Sequence, residues 1–570
     1  MERKTILSFI IILMFFCLLA GLFNLDILQG AKFRRLSDNN CIRLIPQPGS
    51  RGDIVDRNGQ VLVENKASYD VLIMPQELDR IDYILNRLSR ILGIEQKQLK
   101  ATFKKNFISS SIPVAVATNI ELKKAIQLGE YRVEEPSVII TLKPLRHYPH
   151  GALASHVVGY ISEIDRWRLT KLEDYGYKTK DTVGFGGVEE KYDYYLRQEE
   201  GGLSVEVNHR GKITRILGFE APSNGKELKL TLDLKIQKIA EEFLAGHKGS
   251  VVLMDPWSGE VFAMANYPDF NPGVFINRNN SMAGLFNNPQ SPLVNRAISF
   301  SYPPASVFKV VVASAALELN KISLDTSFFC QGSTMVGARK FSCWDTHGPE
   351  DILQAIAHSC DVFFYRTGLL LGAQEIHDYA LKLGLGKSMG FELPYETAGF
   401  IPSPLWKKIN KFQKWYDGDT ANLSIGQGDC LVTPLQAANM MAVFANGGYL
   451  TSPYIVKEIG GLDVSKKKKK LFPVRLEKNT LITINRGLRK VVSDSHGTGN
   501  VLDDLIVSVA GKTGTAQVTG KSTHAWFAGY FPYEKPEFVI CVFLENGGPG
   551  YAATVIAKQI IEAMNNEGLI

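Results

Sequence analysis

The chain has 570 residues, of which 45% are hydrophobic and 21% are charged. This length exceeds what one hydrophobic core supports and predicts two to four domains of about 100–250 residues, and the composition excludes a largely disordered protein. The formal net charge of +6 is small for the length, so the charge balance gives no reason to expect a nucleic-acid-binding protein.

The first apolar segment predicts a membrane anchor. Residues 5–23 form an uncharged run after the tetrapeptide Met1-Glu2-Arg3-Lys4. About 20 apolar residues cross a bilayer, whereas the core of a cleaved signal peptide is usually about 7–15 residues long. No cleavage site is evident around Ala20-Gly21-Leu22, so we expect a tail over residues 1–4 and an uncleaved anchor over 5–25. A cleaved signal peptide is the alternative, and the basic residues on both sides leave the orientation open.

The segment after the anchor predicts a separate domain over residues 26–225. Its Asn58-Gly59 turn predicts a hairpin over residues 54–63, and apolar spacing predicts helices over 78–92 and 95–105. A glycine-punctuated stretch, 184–202, predicts a turn, a helix and a strand. The turn-rich sequence Pro222-Ser223-Asn224-Gly225-Lys226 predicts the boundary with the next domain.

Residues 226–570 predict an α+β domain, in which one sheet is packed by helices. The order of elements gives this class, because strands at both ends enclose a long helical middle between residues 306 and about 446. A lysine run at 466–470 predicts a solvated loop. The expected strands are 228–232, 249–254, 260–265, 512–516, 525–532 and 538–544, and the other expected helices are 235–244, 481–491 and a last one from about 552.

Ser306 and Lys309 form the first chemical motif. They lie three residues apart at the start of a small, apolar run of helical character, so one face of a helix would bring the hydroxyl and the amine together. A lysine whose pKa is lowered by burial can remove the serine proton and make the hydroxyl a nucleophile. The same spacing at Ser465 and Lys468 has no apolar helix behind it, so the spacing alone also fits an ordinary surface pair.

Two further motifs change this interpretation. Ser359-Cys360-Asp361 and Lys512-Thr513-Gly514 follow in the order that resembles the three-motif signature of penicillin-binding proteins and serine β-lactamases. The anchor, the turn over 51–59, the 184–202 stretch and Ser424-Ile425-Gly426-Gln427-Gly428 look similar to class B penicillin-binding proteins, which are monofunctional D,D-transpeptidases. The resemblance therefore covers nearly the whole chain.

The resemblance implies a fold and a role for each motif residue. The fold would be a transmembrane helix, an elongated, mostly-β, dimerisation-like pedestal, and a serine β-lactamase/transpeptidase-like domain with an antiparallel sheet and helices. No organic cofactor is implied. Implied catalytic residues are the nucleophile Ser306, the base Lys309, the proton relay Ser359, its neighbour Asp361, and Lys512. Implied substrate-binding residues are Thr513, Gly514 and Thr515, with the backbone N–H groups of Ser306 and Thr515 as the oxyanion hole.

Asp361 departs from the family pattern, which usually has Asn there. Elongation-type members look similar in carrying aspartate, so we expect a role in wall elongation, inhibition by β-lactams, and export of the catalytic domain with the N-terminus inside. The implied partners are peptidoglycan stem peptides, the membrane, a multi-span glycan polymerase and other elongation proteins. A septal or specialised transpeptidase, a β-lactam hydrolase and a penicillin sensor are the alternatives.

Four residues around the second motif predict a metal site. Cys330, Cys343, His347 and Cys360 offer three thiols and one imidazole, a donor set that suits structural zinc. Some elongation-type relatives bind zinc at a similar place, and a metal there would fix the loop that carries Ser359. A disulfide between Cys330 and Cys343, or buried free thiols, are the alternatives.

Overall fold

The computed structural model describes residues 3–47, 49–75, 81–107, 113–135, 137–179, 181–199, 201–207, 213–276, 281–518, 520 and 522–570. The chain divides into two compact units. The first comprises residues 1–52, 65–145 and 197–225, and the second comprises residues 53–64, 146–196 and 226–570. The chain passes from the first unit to the second near residue 225, where the sequence predicted a domain boundary. The segments 53–64 and 146–196 also belong to the second unit, whereas the sequence patterns predicted that residues 26–225 form one domain.

The strands are β1 (Ile42–Gln47), β2 (Ile54–Val55), β3 (Val61–Ile73), β4 (Val114–Ile120), β5 (Val138–His147), β6 (Tyr160–Glu163), β7 (Thr182–Phe185), β8 (Gly201–Val207), β9 (Ile213–Glu220), β10 (Leu228–Leu230), β11 (Gly249–Met254), β12 (Val261–Tyr267), β13 (Phe328–Cys330), β14 (Ser333–Val336), β15 (Arg339–Ser342), β16 (Gly348–Glu350), β17 (Tyr449–Thr451), β18 (Val456–Ile459), β19 (Leu462–Asp463), β20 (Leu471–Pro473), β21 (Ala510–Ala516), β22 (His524–Phe531) and β23 (Phe538–Leu544).

The α-helices are α1 (Arg3–Phe23), α2 (Gly30–Cys41), α3 (Ile81–Leu92), α4 (Gln96–Asn106), α5 (Leu122–Glu134), α6 (Ser155–Val158), α7 (Arg166–Leu172), α8 (Gly187–Lys191), α9 (Asp193–Leu196), α10 (Leu234–Leu244), α11 (Gly273–Ile276), α12 (Ser281–Phe286), α13 (Lys309–Glu318), α14 (Ile352–Ala357), α15 (Asp361–Leu371), α16 (Ala373–Lys382), α17 (Pro404–Asn410), α18 (Asp417–Ser424), α19 (Pro434–Ala445), α20 (Ser465–Lys468), α21 (Lys478–Ser493) and α22 (Gly550–Asn566).

The apolar N-terminal helix has the length and composition of a membrane span. It extends over Thr5–Leu28, with a mean hydropathy of 3.0 and no buried residue in its most apolar window. An apolar helix of 24 residues rises about 36 Å at 1.5 Å per residue, which exceeds the ~30 Å hydrocarbon core of a bilayer.

The first unit mixes helices and strands. Strands β1, β8 and β9 form a three-stranded sheet, and β3 pairs with β4 and β5. Helices α3, α4 and α5 cover a separate core around Leu85, Leu88 and Leu128. The two helices predicted at 78–92 and 95–105 are therefore present, although Leu78, Asp79 and Arg80 lie outside the described residues. Apart from the apolar N-terminal helix, helices and strands contain similar numbers of described residues in this unit, so the expectation of a mostly-β domain underestimates its helical content.

The second unit is built on a five-stranded antiparallel sheet in the order β12-β11-β23-β22-β21. Alternate residues of β11 enter two different cores: Val252 joins the core that contains α13 and α19, and Val251 joins the core that contains α10 and α22. A strand covered on both faces reads as a continuous apolar run, because its side chains alternate between two buried faces. The predicted α+β class is confirmed.

The lysine run is more ordered than predicted. Ser465–Lys468 form the short helix α20. Lys468 pairs with Glu392, and the Lys469 ammonium lies 3.2 Å from the Glu260 carboxylate. The prediction of a solvated loop is wrong for these two side chains, because buried or half-buried carboxylates from distant segments meet them.

Candidate active site

Ser306 lies in a tight turn that leads into a buried helix. Residues Ala305–Phe308 form one turn of 3-10 helix, and α13 follows directly. Val307 and Phe308 are buried while Ser306 is half-buried, so the neighbours fix the turn and leave the serine at its surface. Ala305 adopts φ +51°, a left-handed conformation that costs an alanine about 1–2 kcal/mol. Such strain persists where the surroundings impose it, as is common at functional sites.

Lys309 joins the serine turn to the second motif. Its side chain is fully buried, and its ammonium donates to the backbone carbonyl of Ser359 at 2.8 Å and to the Ser359 hydroxyl at 3.2 Å. A third hydrogen bond, 2.6 Å long, reaches Asp361 Oδ1. One amine therefore holds both polar residues of the second motif, one helical turn after Ser306.

The second motif stands where two helices meet. Helix α14 ends at Ala357 and α15 begins at Asp361. Ser359 between them has φ +55°, which turns the chain so that its carbonyl and hydroxyl both reach Lys309. Asp361 occupies the first turn of α15, where the positive end of the helix dipole favours a carboxylate.

Strand β21 brings Lys512 to the same place. A Cβ built on Gly514 would lie 3.1 Å from the carbonyl oxygen of Pro304 and 3.3 Å from Val307 Cγ2, so the strand packs closely on the serine turn at this residue. Lys512 is fully buried. Burial lowers the pKa of Lys512 well below its ordinary value, and the charge of Lys309 lowers it further while that of Asp361 opposes the shift.

The residues beside Lys512 are tied into the site by hydrogen bonds. The Thr513 hydroxyl donates to the Thr498 hydroxyl at 2.7 Å, and the Thr498 backbone N–H donates to Ala357 at 3.2 Å. Thr515 Oγ1 accepts from the Gly550 N–H at 2.9 Å. The structure thus gathers the three predicted motifs around one turn.

Thr498 is a site residue that the sequence analysis missed. Through Ala357 and Thr513 it connects the end of α14, next to Ser359, with strand β21. The only local sign of it is the Ser495-His496-Gly497-Thr498-Gly499 segment ahead of β21, which resembles an ordinary turn.

Gly426 supports the serine turn from the other side. Its carbonyl accepts the Ala305 N–H at 3.0 Å. Gly426 has φ +69°, and a Cβ there would lie 2.3 Å from the Ala305 carbonyl oxygen. Only glycine fits this position without displacing the backbone that carries Ser306. This gives a physical reason for the glycine in the Ser424–Gly428 stretch.

The four predicted metal ligands lie together. One donor atom from each of Cys330, Cys343, His347 and Cys360 can be chosen such that all lie within 4.8 Å of one another. His347 Nδ1 is 3.6 Å from the sulfur of Cys330 and 3.6 Å from that of Cys343. A tetrahedral zinc ion with bonds of about 2.0–2.3 Å needs donor separations of about 3.5–3.8 Å, so the donor set suits this metal and the two separations from His347 match its geometry.

The cluster also has the electrostatics of a thiolate site. The hydrogen bond with Cys360 lowers the pKa of the Cys343 thiol, and the same interaction raises the pKa of Cys360. Burial acts to lower the pKa of His347, but hydrogen bonds with Cys343 and Cys330 outweigh it and raise the value to about 9. The Asp361 N–H donates to the Cys343 sulfur at 3.2 Å, which ties the cluster directly to the second motif.

The alternative disulfide is not present. The cysteines whose side chains the structure describes are free thiols, including Cys330 and Cys343. Cys430 and Cys541 are also free and are fully buried.

Comparison with known proteins places these features in one family. The model of the penicillin-binding protein transpeptidase domain matches residues 249–564, and that of the penicillin-binding protein dimerisation domain matches residues 46–230. The peptidoglycan D,D-transpeptidase MrdA of Acinetobacter baumannii is 32% identical over 569 residues, which cover 94% of this chain and 84% of the relative.

Two solved structures extend the likeness to the fold. A chain in the complex between Penicillin-Binding Protein (PBP2) and MreC from Helicobacter pylori matches with a TM-score of 0.83 and 27% identity, covering 93% of this chain and 99% of that chain. A structure entitled "Structural coordination of polymerization and crosslinking by a peptidoglycan synthase complex" matches with a TM-score of 0.76 and 29% identity, covering 99% and 98%. The family resemblance drawn from the motifs is confirmed, and the chain belongs to the penicillin-binding proteins with a transpeptidase domain.

Proposed function

We propose that the protein is a membrane-anchored, elongation-type D,D-transpeptidase that cross-links peptidoglycan stem peptides through an acyl-serine intermediate. One observation carries the proposal. The Lys309 ammonium contacts both Ser359 and Asp361, in the element whose preceding turn presents Ser306 and packs against the strand that carries Lys512. A nucleophile, a base, a proton relay and an anion-binding lysine thus share one site.

Acylation uses the first two motifs. After giving up a proton, the Lys309 amine accepts the proton of the Ser306 hydroxyl while the serine oxygen attacks the carbonyl carbon of the penultimate D-alanine. The C–O bond forms and the C–N bond to the terminal D-alanine breaks. Ser359, hydrogen-bonded to Lys309, passes the proton to the leaving nitrogen, and D-alanine departs as the free amine. The backbone N–H groups of Ser306 and Thr515 stabilise the oxyanion.

Lys512 and Thr513 bind the terminal carboxylate of the stem peptide. The buried amine of Lys512 is difficult to protonate in the free enzyme. An incoming carboxylate supplies the missing opposite charge and favours the ammonium form, so proton uptake and substrate binding are coupled. A neutral or positively charged peptide end gains no such stabilisation, which gives the site its selectivity for a free carboxylate.

The second half-reaction forms the cross-link. An amine from a neighbouring stem attacks the ester carbonyl, the new C–N bond forms, and the C–O bond to Ser306 breaks. The proton lost by the amine returns to the serine oxygen through Lys309. A β-lactam acylates Ser306 by the same first step, but its leaving nitrogen stays tethered in the opened ring, so the ester persists.

Zinc is the metal that the four-residue cluster would hold. Three sulfurs and one imidazole nitrogen fill a closed structural site. When bound, the metal would supply structural stabilisation, holding the loop between β13 and α15 that carries Ser359 and Asp361.

The remaining parts of the proposal concern location and partners. The second unit, which carries the proposed catalytic residues, works outside the cytoplasmic membrane because its substrate lies there. The N-terminus therefore stays inside, and the apolar helix over Thr5–Leu28 crosses the membrane once. One structural neighbour is a complex with MreC, which suggests an MreC-type protein as a partner. The other is named for polymerization together with crosslinking, which supports the multi-span glycan polymerase that the family resemblance implies.

Intact-mass measurement after incubation with a fluorescent penicillin tests the proposal. The native protein should gain one stable penicilloyl adduct, Ser306→Ala should gain none, and Ser465→Ala, which removes the serine of the chance Ser-x-x-Lys spacing, should label normally. Equal labelling of the native protein and Ser306→Ala would show that the nucleophile is misassigned. Rapid loss of the adduct with release of hydrolysed penicillin would instead identify a β-lactam hydrolase.

A further inference from the structure

A cavity in the second unit is lined by solvent-exposed aromatic side chains. It has a volume of about 380 Å³ and lies among residues 167–194, none of which belongs to the candidate active site. Trp167, Tyr175 and Tyr194 on its rim are 64%, 67% and 73% exposed. Large aromatic side chains grouped at the surface usually mark a binding site, because leaving them in water is unfavourable.

Hydrogen bonds and ion pairs hold the floor of the cavity in place. Tyr177 is buried, and its hydroxyl donates to Asp193, which also accepts the Gly184 N–H at 2.9 Å. Arg168 lies 3.9 Å from the Phe185 ring centre and pairs with Asp165 and Glu190. A cavity whose floor is fixed before binding spares a ligand much of the entropic cost of ordering it.

Among the residues that the structure describes, the charged groups at the cavity that have no carboxylate partner are lysine ammonium groups. The two carboxylates of its lining are engaged: Asp193 as above, and Glu190 by the Gly186 N–H at 2.6 Å and by Arg168. Lys171 lies 3.6 Å from the ring centre of Trp167. Within the described part of the chain, neither Lys171 nor Lys191 has a carboxylate within 4 Å. These two ammonium groups therefore remain available to an anionic ligand.

We infer that this aromatic and cationic cavity binds the glycan strand of peptidoglycan. The C–H faces of a pyranose ring carry partial positive charge and pack on the negative faces of aromatic rings, and the lysines match the carboxylates of the attached stem peptides. The inference rests on the proposed function, since peptidoglycan is then the polymer on which the enzyme acts. A glycan held here would keep the enzyme on a strand between cross-linking events.

Fragment binding to the full-length Ser306→Ala protein in detergent tests the inference. Calorimetry with soluble peptidoglycan disaccharide–peptide fragments, compared with the free stem peptide, should show tighter binding of the sugar-bearing fragments. Trp167→Ala should weaken that binding about five- to tenfold, the effect of losing one well-placed aromatic contact. Lys171→Ser should weaken fragment binding less than Trp167→Ala does. Its effect should be larger at low salt, where the attraction between the lysine and the carboxylates is less screened. Trp257→Ala, a tryptophan 52% exposed outside the cavity, is the matched control and should bind as the parent does.

The outcomes separate the two proposals. Penicillin labelling of a Trp167→Ala protein that retains Ser306 should be unchanged, so normal labelling with weakened fragment binding supports the inference. If Trp167→Ala and its parent bind the fragments equally well, the glycan inference is wrong. Normal penicillin labelling would still support the transpeptidase assignment in that case. If instead Trp167→Ala binds glycan normally but loses association with a purified membrane partner, the cavity is a protein-docking site and the glycan inference is wrong. Absent labelling of the native protein would overturn the proposed function itself.

Discussion

The Lys309 ammonium lies 2.6 Å from Asp361 Oδ1, across 52 residues of sequence. Lys309 is fully buried and Asp361 is partly exposed, so this carboxylate is the charged group that compensates the buried amine. The pair links Lys309, the proposed base, to the residue at which the chain departs from the usual Asn of its family.

Replacing this carboxylate should destabilise the protein. Asp361→Asn keeps a side-chain oxygen that can accept the hydrogen bond from Lys309 but removes the negative charge beside the buried ammonium, and a buried charge that loses its ionic partner is costly. We expect the free energy of unfolding at neutral pH to fall by about 3 kcal/mol, as measured by chemical denaturation. Asp429→Asn removes the exposed ion pair with Lys411 and should lower it by less than about 1 kcal/mol; an equal loss in both variants would contradict the prediction.

Thr498 should position Thr513 for the substrate carboxylate. In the free enzyme the Thr513 hydroxyl donates to Thr498; on binding, Thr498 can donate instead, which lets Thr513 donate to the carboxylate. Thr498→Val removes this hydrogen bond and should slow acylation about tenfold, the cost of about 1.4 kcal/mol. Thr498→Ser keeps the hydroxyl and should retain most of the rate. Slow acylation by Thr498→Ser with a normal rate in Thr498→Val would instead indicate that packing of the methyl group, and not the hydrogen bond, is what matters.

Gly426→Ala should disturb the serine turn. A Cβ at Gly426 would lie 2.3 Å from the Ala305 carbonyl oxygen, so the backbone before Ser306 must move. We expect acylation to fall at least tenfold and the melting temperature to drop. Gly428→Ala is a matched control, because Gly428 also has a positive φ of +75° but its Cβ would lie 3.7 Å from Asn422 Cβ, an ordinary van der Waals contact. It should pay only the backbone strain, about 1–2 kcal/mol, and acylate normally.

Elemental analysis should find about one zinc ion per chain in protein purified without chelator. Cys343→Ser should reduce the zinc content sharply and lower the melting temperature, because binding of a structural metal contributes directly to stability. Cys430→Ser alters a buried cysteine outside the cluster and should retain the metal. Metal-free native protein, or equal zinc loss in both variants, would contradict the zinc assignment.

Glu241 should make stability decrease with pH. Burial, with a smaller contribution from Asp269, raises the pKa of Glu241 to about 7, against opposing hydrogen bonds from Gln237 and the Ala154 N–H. Between the unfolded value of about 4.5 and 7, the folded protein holds a proton that the unfolded chain lacks, so stability falls as pH rises through this window. Glu241→Gln keeps an acceptor oxygen without the charge. It should be more stable than the parent by about 1–3 kcal/mol at pH 8 and gain nothing at pH 4, as measured by chemical denaturation. An advantage that does not vary with pH would contradict this account.

Features that depend on near neighbours along the chain could be predicted from the order of residues alone. The apolar run of the anchor, the strand over residues 249–254, and the spacing of Ser306 and Lys309 within one turn are all local, because helix and strand periodicities repeat over a few residues. The order of the three motifs then indicated the family.

Contacts between groups that are distant along the chain could not be predicted in this way, because they depend on how the elements pack. Local spacing does not distinguish Ser306 and Lys309 from Ser465 and Lys468; the difference is that Lys309 is buried against Ser359 and Asp361, while Lys468 reaches Glu392. The same applies to Thr498, which resembles a turn residue until β21 and α14 are placed on either side of it. Contacts between residues that are tens to hundreds of positions apart depend on how sheets and helices pack. The spacing of apolar residues along the chain does not predict that packing.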